Sequence, residues 1–191
     1  MNFIKKSLIS LLIVIGGISY GQLIDGEAQV GIIASQIDGD NDGGYNKVSF
    51  YLGIGGNTNI SDRSTLHFDI LYARKGSRSG QRNPLVFTYR MNYIDFPLTI
   101  KSNVWKDIII GGGAHVGYLI NAQLSNGFGF VDRTSNFNRL DYGIIALLGY
   151  KVHKKTTIDL RYNRSVVDYG SLARLFYNDA VFFGITLDLS E

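Results

Sequence analysis

The chain has 191 residues, 45% of them hydrophobic and 13% aromatic, with 23 glycines, two prolines and no cysteine. The length fits one domain, and the absence of cysteine excludes a fold held together by disulfides. The formal net charge of +3 falls to about +1 beyond residue 21, where 17 basic residues stand against 16 acidic ones. Because basic and acidic residues are nearly equal in number, the composition does not indicate the basic surface that nucleic-acid binding requires. No nucleic-acid partner is therefore expected.

The first 21 residues predict a cleaved signal peptide. Lys5 and Lys6 precede an apolar run over residues 8–18, and Ser19-Tyr20-Gly21 then places small residues at the −3 and −1 positions of a cleavage site. The apolar run is about half the roughly 20 residues of a transmembrane helix. The sequence therefore predicts export, with a signal peptide at 1–21 and a single β-barrel domain at 22–191.

Eight segments of the remaining chain alternate apolar and polar residues with a period of two, which is the pattern of a β-strand. In chain order they lie at residues 28–37, 48–55, 65–72, 93–101, 108–118, 140–151, 158–163 and 181–189. Their connections alternate between short (57–63, 102–106, 153–156) and long (38–45, 76–89, 121–138, 168–178). Short turns at one end and long loops at the other are typical of outer-membrane barrels. The predicted fold is all-β, an eight-stranded antiparallel up-and-down transmembrane β-barrel with both termini at the periplasmic end.

Alternation alone does not say whether the apolar face points inward, as in a soluble barrel, or outward to lipid. The aromatic residues favour lipid. Tyr72, Tyr118 and Tyr142 share the parity of the apolar face and lie near the long loops, as an outer aromatic girdle would. Tyr150 and Trp105 are placed to form the periplasmic girdle.

The opposite face of the strands is rich in glycine and in charges of both signs. An eight-stranded barrel is just wide enough for side chains to fill it, so these charges are expected to pair across the lumen. The predicted polar network of the lumen consists of Asp69, Asp95, Lys101, His115, Asp159 and Arg161. Pro97 removes one hydrogen bond from its ladder, and we expect a bulge or local distortion there.

Three stretches carry a resemblance to a known family. The segments YIDFPLTIK (93–101), GGGAHVGYLI (111–120) and RLDYGIIALLGYKV (139–152) resemble strands of the PorT-like outer-membrane β-barrel family. The resemblance implies an eight-stranded outer-membrane barrel. Some members of that family serve a protein-secretion system, which makes secretion or envelope proteins expected partners.

No pattern in the chain predicts catalysis, a cofactor or a metal. His67 and His115 have lumen parity, and no nucleophile motif accompanies them. The acidic stretch at 38–43 resembles the start of a calcium loop, but Ser49 occupies its twelfth position, where an acidic ligand is needed. A solvated turn explains that stretch.

Basic residues cluster in and beside the second long loop. Arg74, Lys75, Arg78, Arg82 and Arg90 lie there, and arginine binds phosphate through a bidentate fork. Arg78 and Arg82 are therefore candidates for contact with lipopolysaccharide, although an ordinary solvated loop would have the same composition.

The predicted function is a non-enzymatic integral outer-membrane barrel, either structural or accessory to envelope assembly or protein secretion, in contact with outer-membrane lipid and lipopolysaccharide. A diffusion porin is disfavoured, because aqueous channels appear in barrels of about 16 strands. A soluble periplasmic ligand-binding barrel and a surface adhesin remain alternatives. The third loop, with Phe128, Phe130 and Phe137, could form a partner surface or cover the barrel mouth.

Overall fold

The computed structural model describes residues 24–38, 44–79, 87–167 and 177–190. The strands are β1 (Asp25–Asp38), β2 (Lys47–Ser61), β3 (Ser64–Arg78), β4 (Thr88–Trp105), β5 (Ile108–Ser125), β6 (Phe130–Asp132), β7 (Leu140–His153), β8 (Thr156–Ser165) and β9 (Tyr177–Asp188). One 3-10 turn, Thr134–Asn136, follows β6. None of the described residues forms a helix long and apolar enough to cross a membrane. The predicted signal peptide, most of the acidic turn at 38–43, and Arg82 lie outside the described residues.

The strands close into a barrel. Each long strand pairs antiparallel with its neighbour in the chain, β5 pairs with β7, and β9 returns to pair with β1. The short strand β6 only extends the outer end of β5, through three residue pairs. The predicted eight-stranded antiparallel up-and-down barrel is therefore confirmed.

The two ends of the barrel differ in the way the sequence predicts. Two-residue turns join β2 to β3, β4 to β5 and β7 to β8, whereas the connections at the other end are longer. Short turns mark the periplasmic end of such barrels, and β1 begins and β9 ends there. The strands β4 and β5 have 18 residues each, more than the 9–11 or so that span a bilayer, so they project beyond it at the extracellular end.

The barrel is apolar outside and polar inside. The outward residues are exposed and form a continuous apolar band that includes Val30, Ile32, Phe50, Leu52, Ile54, Phe68, Ile70, Phe96, Leu98, Ile100, Val116, Ile144, Leu148, Leu160, Phe183 and Ile185. The inward residues include many buried charged and amide side chains. This distribution is the reverse of a soluble protein, so the alternative of a soluble periplasmic barrel is wrong. The apolar face meets lipid.

The aromatic residues lie near the two edges of this band. Tyr118 and Tyr142 are exposed near the extracellular end, and Trp105 and Tyr150 are exposed near the periplasmic end. Tyr72 is half-buried, and its hydroxyl donates a hydrogen bond to Asn92 Oδ1 at 2.9 Å. Their placement agrees with two aromatic girdles.

Pro97 is accommodated by a gap in one ladder. The β3–β4 ladder pairs Phe68 with Leu98 and Leu71 with Asp95, but the two intervening pairs are missing and the register is unchanged. On its other side Pro97 pairs with His115. The expected distortion is thus a local interruption and not a bulge. The register shifts of β4 against β5 occur at residues 92–93 and 103–105 instead.

Candidate functional site

A charged network fills the periplasmic third of the lumen, and Glu27 is at its centre. His67 Nδ1 lies 3.0 Å from Glu27 Oε2, and Gln29 donates to Glu27 Oε1 at 3.0 Å. Lys101 Nζ is 3.9 Å from the same carboxylate. The carboxylate of Asp69 adjoins that of Glu27, and Lys101 supplies positive charge to both. Charges buried in this way are stable only when they are paired.

Arg161 connects this network to the middle of the barrel. Its side chain is fully buried, and Nη2 donates to Gln29 Oε1 at 3.0 Å and lies 3.9 Å from Asp159 Oδ1. Thr186 donates to the other oxygen of Asp159 at 3.0 Å. These residues come from β1, β8 and β9, which are neighbours in the barrel, so this part of the network joins adjacent strands along one side of the lumen.

An apolar belt lies above Arg161. Its members are the buried side chains Ile33, Tyr51, Leu71, Ala73, Ala180 and Phe182. The rings of Tyr51 and Phe182 meet edge to face with centroids 5.2 Å apart. Glycines make room for them: a Cβ on Gly184 would lie 2.1 Å from the Tyr51 hydroxyl oxygen, and a Cβ on Gly31 would lie 2.6 Å from the same ring. The lumen glycines thus admit large side chains into the middle of the barrel.

A second polar network lies nearer the extracellular end. Lys75 Nζ is 2.7 Å from Asp95 Oδ2 and 3.8 Å from Asp141 Oδ2, and it sits 4.9 Å from the centre of the Tyr93 ring. Asp141 accepts hydrogen bonds from Ser165 at 2.5 Å and from Asn178 at 2.9 Å. Lys75 is therefore a lumen residue. The expectation that it belongs to the basic loop cluster is wrong, because it has inward parity on β3.

All six residues of the predicted lumen network point into the barrel and are buried. Asp95, Lys101, Asp159 and Arg161 take part in the ion pairs described above. Neither ring nitrogen of His115, nor either carboxylate oxygen of Asp69, has a hydrogen-bond partner among the described residues. Sequence reasoning left out Glu27, Lys75 and Asp141, although each has lumen parity. Parity extended to the strand ends would have found Glu27 and Lys75, whereas Asp141 already lies within the predicted segment 140–151.

An apolar lid closes the extracellular mouth. It consists of Ile37, Met91, Tyr93, Leu119, Ala122 and Phe137. Phe137 comes from the third loop, and its ring meets that of Tyr89 edge to face at 6.0 Å. Of the three loop phenylalanines, Phe137 therefore covers the mouth, whereas Phe128 is 98% exposed at the loop tip.

Hydrogen bonds in the third loop hold the lid in place. The Ala122 N–H donates to Thr134 Oγ1 at 3.0 Å, and the Thr134 N–H donates to Asp132 Oδ1 at 2.9 Å. The bond from the Thr134 backbone lowers the pKa of the Asp132 carboxyl. Asp132 thus holds Thr134, and Thr134 is bonded to the end of β5. Because Phe137 follows Thr134 by three residues, these bonds also position Phe137.

The periplasmic mouth, by contrast, is open. A cavity of about 230 Å³, here called the vestibule, is lined by residues of all eight barrel strands and has Glu27, His67 and Lys101 at its inner end. The charged residues of its wall also include Asp25, Lys151, Lys154, Lys155 and Asp188. Among the described residues, no group of three His, Asp or Glu side chains could hold a metal ion. The vestibule is suited to polar or charged groups from the periplasm.

The outer surface of β3 and β4 carries basic residues at the extracellular rim. Arg74 and Arg78 are outward residues of β3, and Arg90 is an outward residue of β4. The predicted contact residue Arg78 is exposed at the last position of β3. The other predicted contact residue, Arg82, lies outside the described residues, so only one of the pair has a described position.

A closed eight-stranded barrel with an apolar exterior and a charged interior defines the class: this is an integral outer-membrane β-barrel. The sequence matches the model of the family described as outer membrane protein beta-barrel domain over residues 13–169. The chain belongs to that family. No curated protein shows significant sequence similarity to it.

Solved structures share the fold. Neisserial surface protein A is 13% identical, with a TM-score of 0.57, over 86% of this chain and 97% of that one. Ail of Yersinia pestis, in complex with the heparin analogue sucrose octasulfate, is 13% identical with a TM-score of 0.53, over 87% and 99% of the two chains. Another structure of Ail gives 15% and 0.52 over the same shares. At such identities the likeness concerns the fold.

Proposed function

We propose that the protein is a non-enzymatic outer-membrane barrel that does not conduct solutes and acts as a structural element or as an accessory to envelope assembly or protein secretion. The observation that carries the proposal is the double closure of the lumen. The apolar belt fills its middle, the apolar lid covers its outer mouth, and buried ion pairs occupy the space between and below them. A path for solutes would require all of these to move.

The vestibule favours an accessory role on the periplasmic side. It is concave and charged, and it opens toward the compartment through which envelope and secreted proteins pass. The resemblance of residues 93–101, 111–120 and 139–152 to PorT-like barrels, some of which serve a secretion system, points the same way. The partner we propose is therefore a periplasmic segment of an envelope or secretion protein.

The experiment compares the proteins secreted by a strain lacking the gene with those of its parent. The accessory role predicts that particular cargo proteins leave the medium and accumulate in the periplasm. Complementation with Lys151→Glu/Lys154→Glu, which reverses two charges at the exposed vestibule rim, should restore secretion less well than Arg63→Glu/Lys106→Glu, which reverses two charges in turns outside the vestibule. If the deletion strain secretes the same proteins as its parent, the accessory role is rejected and the structural role remains.

Lipopolysaccharide is the membrane partner that we propose for the extracellular rim. The exposed position of Arg78 supports this contact, and Arg82 extends the positive charge of the loop sequence. Guanidinium groups bind phosphate oxygens through paired, charge-assisted hydrogen bonds. Neutralising both residues should reduce retention of lipopolysaccharide during purification, and unchanged retention would remove the two residues from the contact.

A surface adhesin is the second candidate, favoured by the tip of the third loop. Phe128 is 98% exposed there, between Gly127 and Gly129, which both have positive φ angles. A single exposed aromatic side chain is ordinary on a protein surface, but its position at the tip of an extracellular loop makes this ring accessible to a partner surface. Deleting residues 126–129 should abolish attachment to host cells or surfaces and leave the barrel folded. Attachment that survives the deletion would exclude this surface as the adhesive one.

A further inference from the structure

Three arginines follow the seam between β3 and β4 on the outer face of the barrel. The register pairs Arg74 with Asn92, Gly76 with Arg90, and Arg78 with Thr88. Arg90 is therefore the diagonal neighbour of both other arginines, at a spacing of roughly 7–8 Å between backbone positions. Arg74, Arg78 and Arg90, here called the arginine seam, are therefore neighbours on one patch of the outer surface.

The centre of this patch has no side chain. Gly76 stands between Arg74 and Arg78 and directly opposite Arg90. Its φ of +139° belongs to the region that favours glycine, and a Cβ there would lie 2.2 Å from the Tyr89 carbonyl oxygen. The backbone geometry thus excludes any larger residue between the three arginines, and Gly76 itself is buried.

The positive charge of the seam has no acidic partner in the described part of the chain. No carboxylate among the described residues forms a salt bridge with any of the three arginines, whereas Arg164, on the opposite side of the rim, is paired with Asp38 and Asp179. The adjoining loop sequence, residues 80–86, contains a further arginine and no acidic residue. Lys47 lies within electrostatic range of all three arginines. Lys47 has lumen parity, so the outer patch itself carries three like charges, and three such charges without a counter-ion among the described residues indicate a site for an anion.

Neighbouring groups hold two of the guanidinium groups in place. Arg74 Nε donates to Asn92 Oδ1 at 3.1 Å, and Asn92 in turn donates to Asn121 at 2.6 Å. The Arg74 guanidinium also lies 5.2 Å from the centre of the Phe50 ring. This arrangement occupies Nε, and no described residue forms a hydrogen bond with the two terminal nitrogens of Arg74.

Arg90 is fixed by stacking. Its guanidinium carbon lies 3.9 Å from the centre of the Phe130 ring, and its buried Nε has no hydrogen-bond partner among the described residues. An arginine held flat against a ring loses less rotamer freedom when it binds a ligand. The nearest acidic residue by register, Asp132, is separated from Arg90 by Gln123 of β5.

We propose that the arginine seam binds a phosphate group on the headgroup of an outer-leaflet lipid. The inference rests on the proposed contact with lipopolysaccharide, and it moves the centre of that contact from the loop to the barrel wall. A lipid is favoured over a soluble anion because the seam continues downward into the lipid-facing band through Tyr72 and Phe50. A headgroup at this height keeps its acyl chains beside those residues while its phosphate reaches the guanidinium groups.

The test uses the full-length barrel refolded in phosphatidylcholine nanodiscs, with lipopolysaccharide added either intact or after enzymatic removal of its phosphates. The variant is Arg74→Gln/Arg90→Gln, and the matched control is Arg164→Gln, a rim arginine outside the seam. Circular dichroism and heat-modifiable gel mobility verify folding. Each lost arginine should weaken binding of the intact lipid about tenfold, whereas the control and the dephosphorylated lipid should show no such difference.

Two further arms identify the ligand. Arg74→Lys/Arg90→Lys should recover only part of the affinity, because an ammonium cannot form the paired hydrogen bonds of a guanidinium. Inorganic phosphate in excess should compete poorly, and binding of inorganic phosphate as tightly as the intact lipid would overturn the assignment to a lipid. Equal affinity of the glutamine variant and the unaltered protein would overturn the site itself. Because this assay uses purified protein, it is independent of the secretion profile that tests the accessory role.

Discussion

Lys75 Nζ lies 2.7 Å from Asp95 Oδ2 in the lumen, and both side chains are only 1% exposed. Breaking such a pair leaves one buried charge without a partner, which costs about 3–5 kcal/mol. We expect Lys75→Met or Asp95→Asn to lower the free energy of unfolding by an amount of this order. The measurement is urea-induced unfolding of the barrel refolded in lipid vesicles.

The double variant Lys75→Met/Asp95→Asn combines the two single changes and separates the effect of the pair from that of each charge. Since it removes both charges together, it should recover much of the stability that either single change loses. Lys106→Met, in an exposed periplasmic turn, is the control for removing a lysine. Additive losses in the double variant would show that the two residues do not act as a pair.

Gly184 is required by the packing of Tyr51. A Cβ at this position would lie 2.1 Å from the Tyr51 hydroxyl oxygen and 2.6 Å from the Val30 carbonyl oxygen. Gly184→Ala should therefore destabilise the barrel by about 1–3 kcal/mol, and adding Tyr51→Leu should relieve only part of the loss, because the carbonyl contact stays. Gly26→Ala, where the nearest atom would be 3.8 Å away, is the control. Equal stability of Gly184→Ala and Gly26→Ala in the same unfolding assay would contradict this packing.

The two apolar layers predict how the barrel behaves in planar bilayers. The unaltered protein should give no stable conductance steps, and Phe137→Ala should give none either, because the belt around Tyr51 and Phe182 still fills the lumen. Conductance is expected only when Phe137→Ala is combined with Tyr51→Ala and Phe182→Ala. Regular steps from the unaltered protein, measured beside a porin of about 16 strands as reference, would show that the lumen opens.

The sequence predicts the barrel and the direction of its faces, because a period of two assigns every residue of a strand to the lumen or to lipid. This alternation alone correctly predicts that Asp95 and Lys101 face the lumen. Their partners depend on strand register between distant parts of the chain, as in the bond between Arg161 and Gln29, which are 132 residues apart. Alternation within one strand carries no information on such pairs.

The ends of the strands were the least predictable part. The pattern places the end of the third strand at residue 72, but β3 continues to Arg78, and Lys75 therefore belongs to the lumen. In β5 the register shifts where Ile120 has no partner, so that Leu119 and Ala122 both point inward. Such a shift reverses the parity that sequence reasoning relies on. The sequence groups Arg74, Arg78 and Arg90 as a basic cluster, but their alignment along one seam depends on the same extension of β3 and β4 and was not found from the sequence.

Asp132 makes the extracellular lid sensitive to acid. Its carboxylate accepts the Thr134 N–H, and this bond lowers its pKa in the folded protein. The bond therefore contributes stability above the ordinary pKa of an aspartate, and that contribution is lost as the pH falls through the lowered value. Hydrogen–deuterium exchange, corrected for intrinsic rates, should show the amides of Thr134 and Phe137 losing protection in acid. Asp132→Asn should remove this pH dependence, whereas Asp62→Asn, in a periplasmic turn, should leave it intact; protection that does not change with pH would mean that other contacts hold the lid.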